Sequence, residues 1–274
     1  MTSWSGAVRL DDVHGFVLDV DGTLVHRDGD AVHVLPGARE LLERIRVSGR
    51  PLALFTNGSH IAPAGFAEGL RDAGLEVADD EVLTPLTSVR TYLSGRRRAT
   101  VLVFGTDAAR EYLAASGIAI ADGGRDGVDA VLVAHTDDVD FAALEHAART
   151  ILAGARLLTG SYVPAYAGAR GPIFSRGAML TAALAKATGR RPVVVGKPSR
   201  AAVQTMVDGL GVPAARLVVI GDDLALDVAL GRLGGCRTIL VRSGISASLD
   251  MESVPERHLP DDVVDSVADL LDRL

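Results

Sequence analysis

The sequence has one cysteine, Cys236, and no long apolar run. A single cysteine cannot form an internal disulfide, which suits a reducing compartment. Apolar stretches such as residues 217–220 fall far short of the roughly twenty residues that a membrane-spanning helix needs. Residues 1–12 contain acids and lack the apolar core of a secretory signal. These absences exclude a membrane span and predict a cytoplasmic protein.

Positive charge is also scarce, because 28 basic residues face 35 acidic ones and the formal net charge is −7. Nucleic acids and anionic membranes are therefore not expected as partners. Lys186 and Lys197 are the only lysines, and every other basic residue is an arginine. A lysine that stands against this arginine background calls for a chemical reason.

The 274 residues are 48% hydrophobic, which excludes a disordered chain and suits a domain that carries an insertion. Apolar strands alternate with helices, and this predicts an α/β fold with a doubly wound parallel sheet. We expect residues 1–85 and 188–274 to form a Rossmann-like domain and residues 86–187 to form a smaller inserted α/β domain. The expected strands of the first domain are residues 15–20, 51–55, 192–195, 217–220 and 238–241, and a helix over residues 263–271 closes the chain.

Two carboxylates, Asp19 and Asp21, come directly after the first apolar strand and are followed by Gly22. An acidic turn or a helix cap is the ordinary alternative for such a pattern. A calcium-binding EF-hand loop is excluded, because Gly22 comes too early and Asp30 stands where the loop requires glutamate.

Polar residues also follow the second and third expected strands of this domain. Thr56, Asn57 and Gly58 offer a hydroxyl, an amide and accessible backbone N–H groups, which can hold an anion, although Asn-Gly is also a common turn. Lys197 lies between a strand and a helix start, where an ammonium group suits a phosphate or a carboxylate.

Acids appear again after the strand at residues 217–220, as Asp222, Asp223 and Asp227. Asp222 or Asp223 is expected to cap the next helix. Ligands of parallel α/β sheets bind beyond the carboxyl ends of the strands, where acids gathered from several strands would repel one another without a hard cation. Oxygen-only ligands suit Mg²⁺, and no histidine or cysteine grouping has zinc spacing.

The order Asp-x-Asp-Gly-Thr-Leu, Phe-Thr-Asn, Gly-Lys-Pro and Gly-Asp-(x)4-Asp resembles the haloacid dehalogenase (HAD) superfamily of phosphohydrolases. The forms Phe-Thr-Asn-Gly-Ser and Gly-Lys-Pro are most similar to its class IIA branch, which carries a type-C2 cap. The resemblance covers nearly the whole chain. It implies a Rossmann-like core, a cap at residues 86–187 and Mg²⁺-dependent hydrolysis of a small soluble phosphomonoester, such as a sugar phosphate or a nucleotide.

The resemblance also implies a role for each matching residue. Asp19 would be the nucleophile that forms an aspartyl-phosphate, and Asp21 would act as general acid and then as general base. Thr56 and the amides around Asn57 and Gly58 would hold phosphoryl oxygens, and Lys197 would neutralise developing charge. The ligands of Mg²⁺ would be Asp19, the backbone carbonyl of Asp21 and Asp222, with Asp227 in support.

The chain departs from the branch pattern in three places. Gly58 replaces a second asparagine, and the cap segments at residues 159–162 and 174–177 are altered, so no particular substrate is transferred. Within the loop of residues 160–177, Arg176 and Tyr162 are candidate substrate contacts, with Arg176 addressing a second anionic group or remaining a solvated surface arginine. A phosphomutase and a non-catalytic phosphate-binding protein are the alternative functions, and a homodimer is left open.

Overall fold

The computed structural model describes residues 7–28, 31–96, 98–122, 127–166 and 173–274. The strands in chain order are β1 Gly15–Leu18, β2 Val25–Asp28, β3 Ala31–Val34, β4 Leu52–Phe55, β5 Val82–Leu83, β6 Thr100–Phe104, β7 Ala119–Ile120, β8 Ala130–Val133, β9 Arg156–Thr159, β10 Ala165–Tyr166, β11 Ile173–Phe174, β12 Val193–Val194, β13 Leu217–Gly221, β14 Arg237–Val241 and β15 Asp262–Val264. The helices are α1 Ala38–Val47, α2 Pro63–Asp72, α3 Pro85–Leu93, α4 Asp107–Ala115, α5 Phe141–Leu152, α6 Arg176–Thr188, α7 Arg200–Leu210 and α8 Ala229–Gly234.

The chain forms two compact units. The first contains Met1–Thr56, Pro63–Leu83 and Lys197–Leu274, and the second contains Asn57–Ala62 and Thr84–Gly196. The second unit thus extends to Gly196, nine residues beyond the expected boundary after residue 187, because β12 pairs with β9 of this unit. The sequence pattern predicts that residues 192–195 form a strand, but it does not show which sheet accepts so short a strand.

The first unit is built on a six-stranded sheet in the order β15-β14-β13-β1-β4-β5, and every neighbouring pair in it is parallel. Every residue of β1, β4 and β13 is buried, as expected for central strands that are covered on both faces. This arrangement confirms the predicted doubly wound sheet.

The second unit has a five-stranded parallel sheet in the order β12-β9-β8-β6-β7. The short antiparallel pair of β10 and β11 lies within the loop predicted at residues 160–177, of which residues 167–172 fall outside the described residues. Among the described parts of the chain, no helix is long and apolar enough to cross a membrane.

Two local expectations about the first unit are wrong. The sequence between the first strand and Pro36 predicts a loop, but this segment contains the antiparallel hairpin of β2 and β3. The closing helix was expected over residues 263–271, but residues 262–264 form β15 along the edge of β14, and a 3-10 helix, Val267–Arg273, follows. Val263 and Val264 are β-branched residues, which fit a sheet edge better than a helix.

Candidate active site

The ends of β1 and β13 bring two of the predicted acids together. These strands are parallel neighbours with Leu18 opposite Ile220, and the backbone N–H of Asp19 donates to the carbonyl oxygen of Ile220 at 2.8 Å. Asp19 and Asp222 therefore leave adjacent strands at the same edge of the sheet. The strand-end argument from the sequence predicted this meeting.

Lys197 lies between two carboxylates. Its Nζ atom is 2.5 Å from Oδ1 of Asp19 and 2.7 Å from Oδ1 of Asp227. The Lys197 and Asp227 side chains are each 3% exposed and the Asp19 side chain is 12% exposed, so these charges interact with little screening by water. Thr23 completes the environment of Asp19, because its hydroxyl donates to Oδ2 of Asp19 at 3.2 Å.

Burial and charge change the pKa values of this trio. Burial alone would lower the pKa of Lys197, but the charges of Asp19 and Asp227 outweigh it and raise that pKa well above its usual range. Burial raises the pKa of Asp19 and of Asp227, although Lys197 opposes the rise in both cases. Lys197 therefore stays protonated, and its single positive charge does not balance the two carboxylates of Asp19 and Asp227.

Asp222 is held by the loop that follows β14. Its Oδ2 atom accepts a hydrogen bond from the backbone N–H of Ile245 at 2.7 Å. A Cβ atom on Gly22, whose φ is +86°, would lie 2.3 Å from this Oδ2, and one on Gly244 would lie 2.0 Å from it. Both glycines are required for the close approach. Burial, followed by the charge of Asp19, raises the pKa of Asp222 to about 7.

The helix cap expected from Asp222 or Asp223 is made by Asp223. Its Oδ1 atom accepts from the backbone N–H of Ala225 at 2.7 Å. The π-helical turn that follows, Leu224–Val228, carries Asp227 back toward the strand end, where its Oδ2 accepts from the backbone N–H of Asp223 at 3.1 Å. Asp222 therefore does not cap the helix, and its carboxylate belongs to the site.

The acids of this edge fit a hard cation. Asp19, Asp222 and Asp227 each offer a carboxylate oxygen, and the three atoms lie within 4.8 Å of one another. The donor set consists of oxygen alone, as Mg²⁺ prefers. Because Lys197 supplies one positive charge to three acids, a divalent cation would relieve the excess negative charge at this edge of the sheet.

Asp21 lies outside this buried cluster. Its side chain is 47% exposed and pairs with Arg27 of β2, with 2.5 Å between Oδ1 and Nε. The turn that presents it is closed by backbone hydrogen bonds, from Gly22 N–H to the carbonyl of Val25 at 2.7 Å and from Leu24 N–H to that of Val20 at 2.9 Å. Asp21 is thus fixed in the backbone and open to water at its carboxylate.

The structure places the predicted phosphate-binding residues in both units. Thr56 is buried at the end of β4 in the first unit, and its backbone N–H donates to the carbonyl of Leu83 at 3.1 Å. Asn57 and Gly58 belong to the second unit, as do Tyr162 and Arg176. Contacts of these five residues with a phosphoryl group or substrate stay predictions.

Arg176 has a protein partner within the second unit. It lies at the start of α6, its side chain is 58% exposed, and its guanidinium pairs with Asp137. Asp137 also lies 3.6 Å from Nε2 of His135. The surface-arginine interpretation and the substrate interpretation both stay open, but a substrate would have to compete with Asp137.

The sequence interpretation missed several residues that shape the site. Thr23 stands in the first motif, and its position after Asp21 and Gly22 was the available signal. Arg27, Gly244 and Ile245 reach the site through the hairpin and the loop after β14, and no sequence motif marked them. Ser243 also contributes, because its hydroxyl donates to the carbonyl of Gly22 at 2.7 Å.

Comparisons with known proteins indicate the family of this chain. The sequence profile of the haloacid dehalogenase-like hydrolases matches residues 16–119, and a second profile, described as HAD-hydrolase-like, matches residues 194–270. The ribonucleotide monophosphatase NagD of Escherichia coli K12 is 32% identical over 258 residues, which cover 94% of this chain and 98% of that protein.

Solved structures give the same result. The p-nitrophenyl phosphatase from Archaeoglobus fulgidus is 30% identical and superposes with a TM-score of 0.85, covering 96% of this chain and 100% of that one. The glycerol phosphate phosphatase Rv1692 from Mycobacterium tuberculosis, solved in complex with magnesium, is 25% identical with a TM-score of 0.83, covering 94% of this chain and 76% of that one. Given the site and these matches, the chain belongs to the haloacid dehalogenase-like hydrolases, in the class IIA branch with NagD, and is a phosphatase of small phosphomonoesters.

Proposed function

We propose that this phosphatase depends on Mg²⁺ and forms a covalent aspartyl-phosphate on Asp19. The observation that carries the proposal is the position of Lys197 against the carboxylates of Asp19 and Asp227, with Asp222 at the same strand edge. A nucleophilic carboxylate that must approach an anionic phosphate needs positive charge on both sides of the forming bond.

In the first step, a carboxylate oxygen of Asp19 bonds to phosphorus and the bond from phosphorus to the leaving oxygen breaks. Asp21 gives its proton to that oxygen, so the product leaves as a neutral hydroxyl. Lys197 neutralises charge on the nucleophile and on the transferring group. Thr56 and the backbone amides of Asn57 and Gly58 bind the phosphoryl oxygens.

In the second step, Asp21 takes a proton from a water molecule whose oxygen bonds to phosphorus. The bond between phosphorus and Asp19 then breaks, which releases phosphate and restores the carboxylate of Asp19 and the protonated form of Asp21. The half-exposed side chain of Asp21 supports hydrolysis over the phosphomutase alternative, because water reaches the base directly. A mutase would need a substrate hydroxyl in the place of this water.

Mg²⁺ would be held by Asp19, Asp222 and the backbone carbonyl of Asp21. Asp227 would support the site through its ion pair with Lys197. The bound ion would supply positive charge that lets a carboxylate and a phosphate approach each other.

We expect excess chelator to abolish release of p-nitrophenol from p-nitrophenyl phosphate, Mg²⁺ to restore it, and Ca²⁺ to restore it poorly, because Ca²⁺ favours more ligands at longer distances. Full activity in excess chelator would contradict this part of the proposal.

Asp21→Asn should separate substrates by the quality of their leaving groups. General acid catalysis contributes about a hundred- to ten-thousandfold, and p-nitrophenolate leaves without a proton, whereas an alkoxide does not. The rate of the first step should therefore fall far more for glycerol phosphate than for p-nitrophenyl phosphate, measured as product formed in a single turnover. Equal losses of rate on both substrates would contradict the assignment of Asp21 as the general acid.

The remaining features of the proposal concern the rest of the molecule. Residues 84–196 serve as the cap that selects the leaving group, in keeping with the branch to which the chain belongs, and Arg176 is its candidate contact.

The single cysteine, Cys236, is buried and supports a reducing, cytoplasmic location. A homodimer stays a prediction that a measurement of mass in solution would test.

A further inference from the structure

The hairpin of β2 and β3 directs one arginine toward the catalytic turn. Alternate residues of a strand point to opposite faces, so Val25 and Arg27 share one face of β2. Val25 is fully buried, and Val32, which pairs with Arg27 across the hairpin, is half-buried. Arg27 therefore lies on the face of the hairpin that is turned to the protein.

On that face, Arg27 contacts the carboxylate of Asp21 through Nε. Both side chains are nearly half exposed, and ion pairs at such positions contribute little to stability. Within the described residues, the two terminal amino groups of Arg27 have no hydrogen-bond partner. The guanidinium thus offers donors beside the general acid that folding does not use.

The position of the leaving group follows from Asp21. A general acid must lie about 2.6–3.2 Å from the oxygen that it protonates. Because Arg27 Nε is 2.5 Å from Asp21 Oδ1, the guanidinium and the leaving oxygen would both lie against the carboxyl group of Asp21. A substituent on the carbon that bears this oxygen falls within reach of Arg27.

The charge of this region restricts what that substituent is. Asp19, Asp21, Asp222 and Asp227 outnumber the cations Lys197 and Arg27, so an added anion needs a guanidinium next to it. A guanidinium presents its donors as a planar fork, which matches a carboxylate. The resting contact with Asp21 already shows that a carboxylate fits against it.

We propose that Arg27 is a specificity residue that binds a carboxylate on the leaving-group side of the substrate, adjacent to the phosphoester. The proposal rests on the phosphatase function given above and narrows its substrate class to phosphorylated hydroxy acids. A substrate carboxylate takes the free donors of Arg27 and leaves Asp21 facing the ester oxygen.

Two compounds that differ only at this group test the proposal: 2-phosphoglycolate, which carries the carboxylate, and 2-hydroxyethyl phosphate, which carries a neutral hydroxymethyl group. Wild-type protein should favour 2-phosphoglycolate. Arg27→Ala should lower kcat/KM for 2-phosphoglycolate by about ten- to a hundredfold, mostly through KM, and should change kcat/KM for 2-hydroxyethyl phosphate by less than about threefold. Arg27→Lys, which keeps the charge, should retain part of the preference.

Arg9→Ala is the matched control, because Arg9 is an exposed arginine of the same unit that pairs with Asp11. It should change neither substrate. Equal loss on both substrates with Arg27→Ala would overturn the proposal, because Arg27 would then act only through Asp21. Loss on neither substrate would also overturn it.

Binding separates this proposal from the phosphatase function. In Asp19→Asn protein with Mg²⁺, calorimetry should show tighter binding of 2-phosphoglycolate than of 2-hydroxyethyl phosphate, and adding Arg27→Ala should remove the difference. If this difference is found in a protein whose wild type hydrolyses neither these compounds nor p-nitrophenyl phosphate, the phosphatase function fails and the Arg27 site stands. Equal binding of the two compounds, or no binding of 2-phosphoglycolate, overturns the Arg27 site whatever the activity.

Discussion

Asp19→Asn should lower kcat by several orders of magnitude while the protein keeps its fold. The neutral amide has nearly the shape of the carboxylate but cannot attack phosphorus, and uncatalysed hydrolysis of phosphomonoesters is extremely slow. The thermal midpoint without Mg²⁺ should not fall, because burial already disfavours the charge of Asp19 and raises the pKa of that carboxyl. The measurements are kcat on p-nitrophenyl phosphate and the melting temperature.

Asp11→Asn provides the control for this substitution, because Asp11 is exposed, lies in the same unit and pairs with Arg9. It should leave both kcat and the melting temperature unchanged. A kcat of Asp19→Asn within tenfold of wild type would contradict the assignment of Asp19 as the nucleophile.

Lys197→Met should damage both stability and catalysis. Removing one partner of a buried charge cluster leaves the others uncompensated, at a cost of about 3–5 kcal/mol in the free energy of unfolding. Loss of a preorganised charge next to the transferring group lowers kcat by about a hundred- to a thousandfold. Urea unfolding and kcat on p-nitrophenyl phosphate measure the two effects.

Two further variants separate these effects. Lys186→Met changes the other lysine, which is exposed on α6, and should leave both measurements near wild type. Lys197→Met combined with Asp227→Asn removes one of the two stranded carboxylates, so it should recover part of the stability and none of the activity. Wild-type unfolding and activity in Lys197→Met would contradict the structure of the site.

The sequence predicted the centre of the site because the determinants there are local. A buried strand followed by acids places those acids at a sheet edge, and β1 and β13 are both of this kind. Lys197 was singled out by its rarity, and the structure gives the reason, since its Nζ lies between two carboxylates. Which strands become neighbours in the sheet then determines which acids meet.

The parts that could not be predicted depend on contacts between distant segments. β12 and β15 have only two and three residues, so pairing with β9 and β14 decides their structure more than their own pattern does. The hydrogen bond from Ile245 to Asp222 spans 23 residues. The contact of Arg27 with Asp21 requires the pairing of β2 with β3, and the sequence pattern of this segment predicts a loop instead.

The ion-pair partner of Arg176 could not be predicted from the sequence for the same reason. Its place in a loop that departs from the branch pattern made it a candidate for substrate binding, and nothing in the sequence marked Asp137 as its partner. Asp137 lies 39 residues earlier and follows β8, so only the packing of the second unit brings the two charges together.

The central claim is that the phosphoryl group passes through Asp19. Asp21→Asn protein mixed with p-nitrophenyl phosphate and Mg²⁺ should complete the first step and stall before the second, because the base for water is missing. After an acid quench, peptide mass spectrometry should find phosphate on Asp19 in nearly every molecule, and wild type should show far less. A full burst of p-nitrophenol with no covalent phosphate, or with phosphate on a residue other than Asp19, would contradict the account.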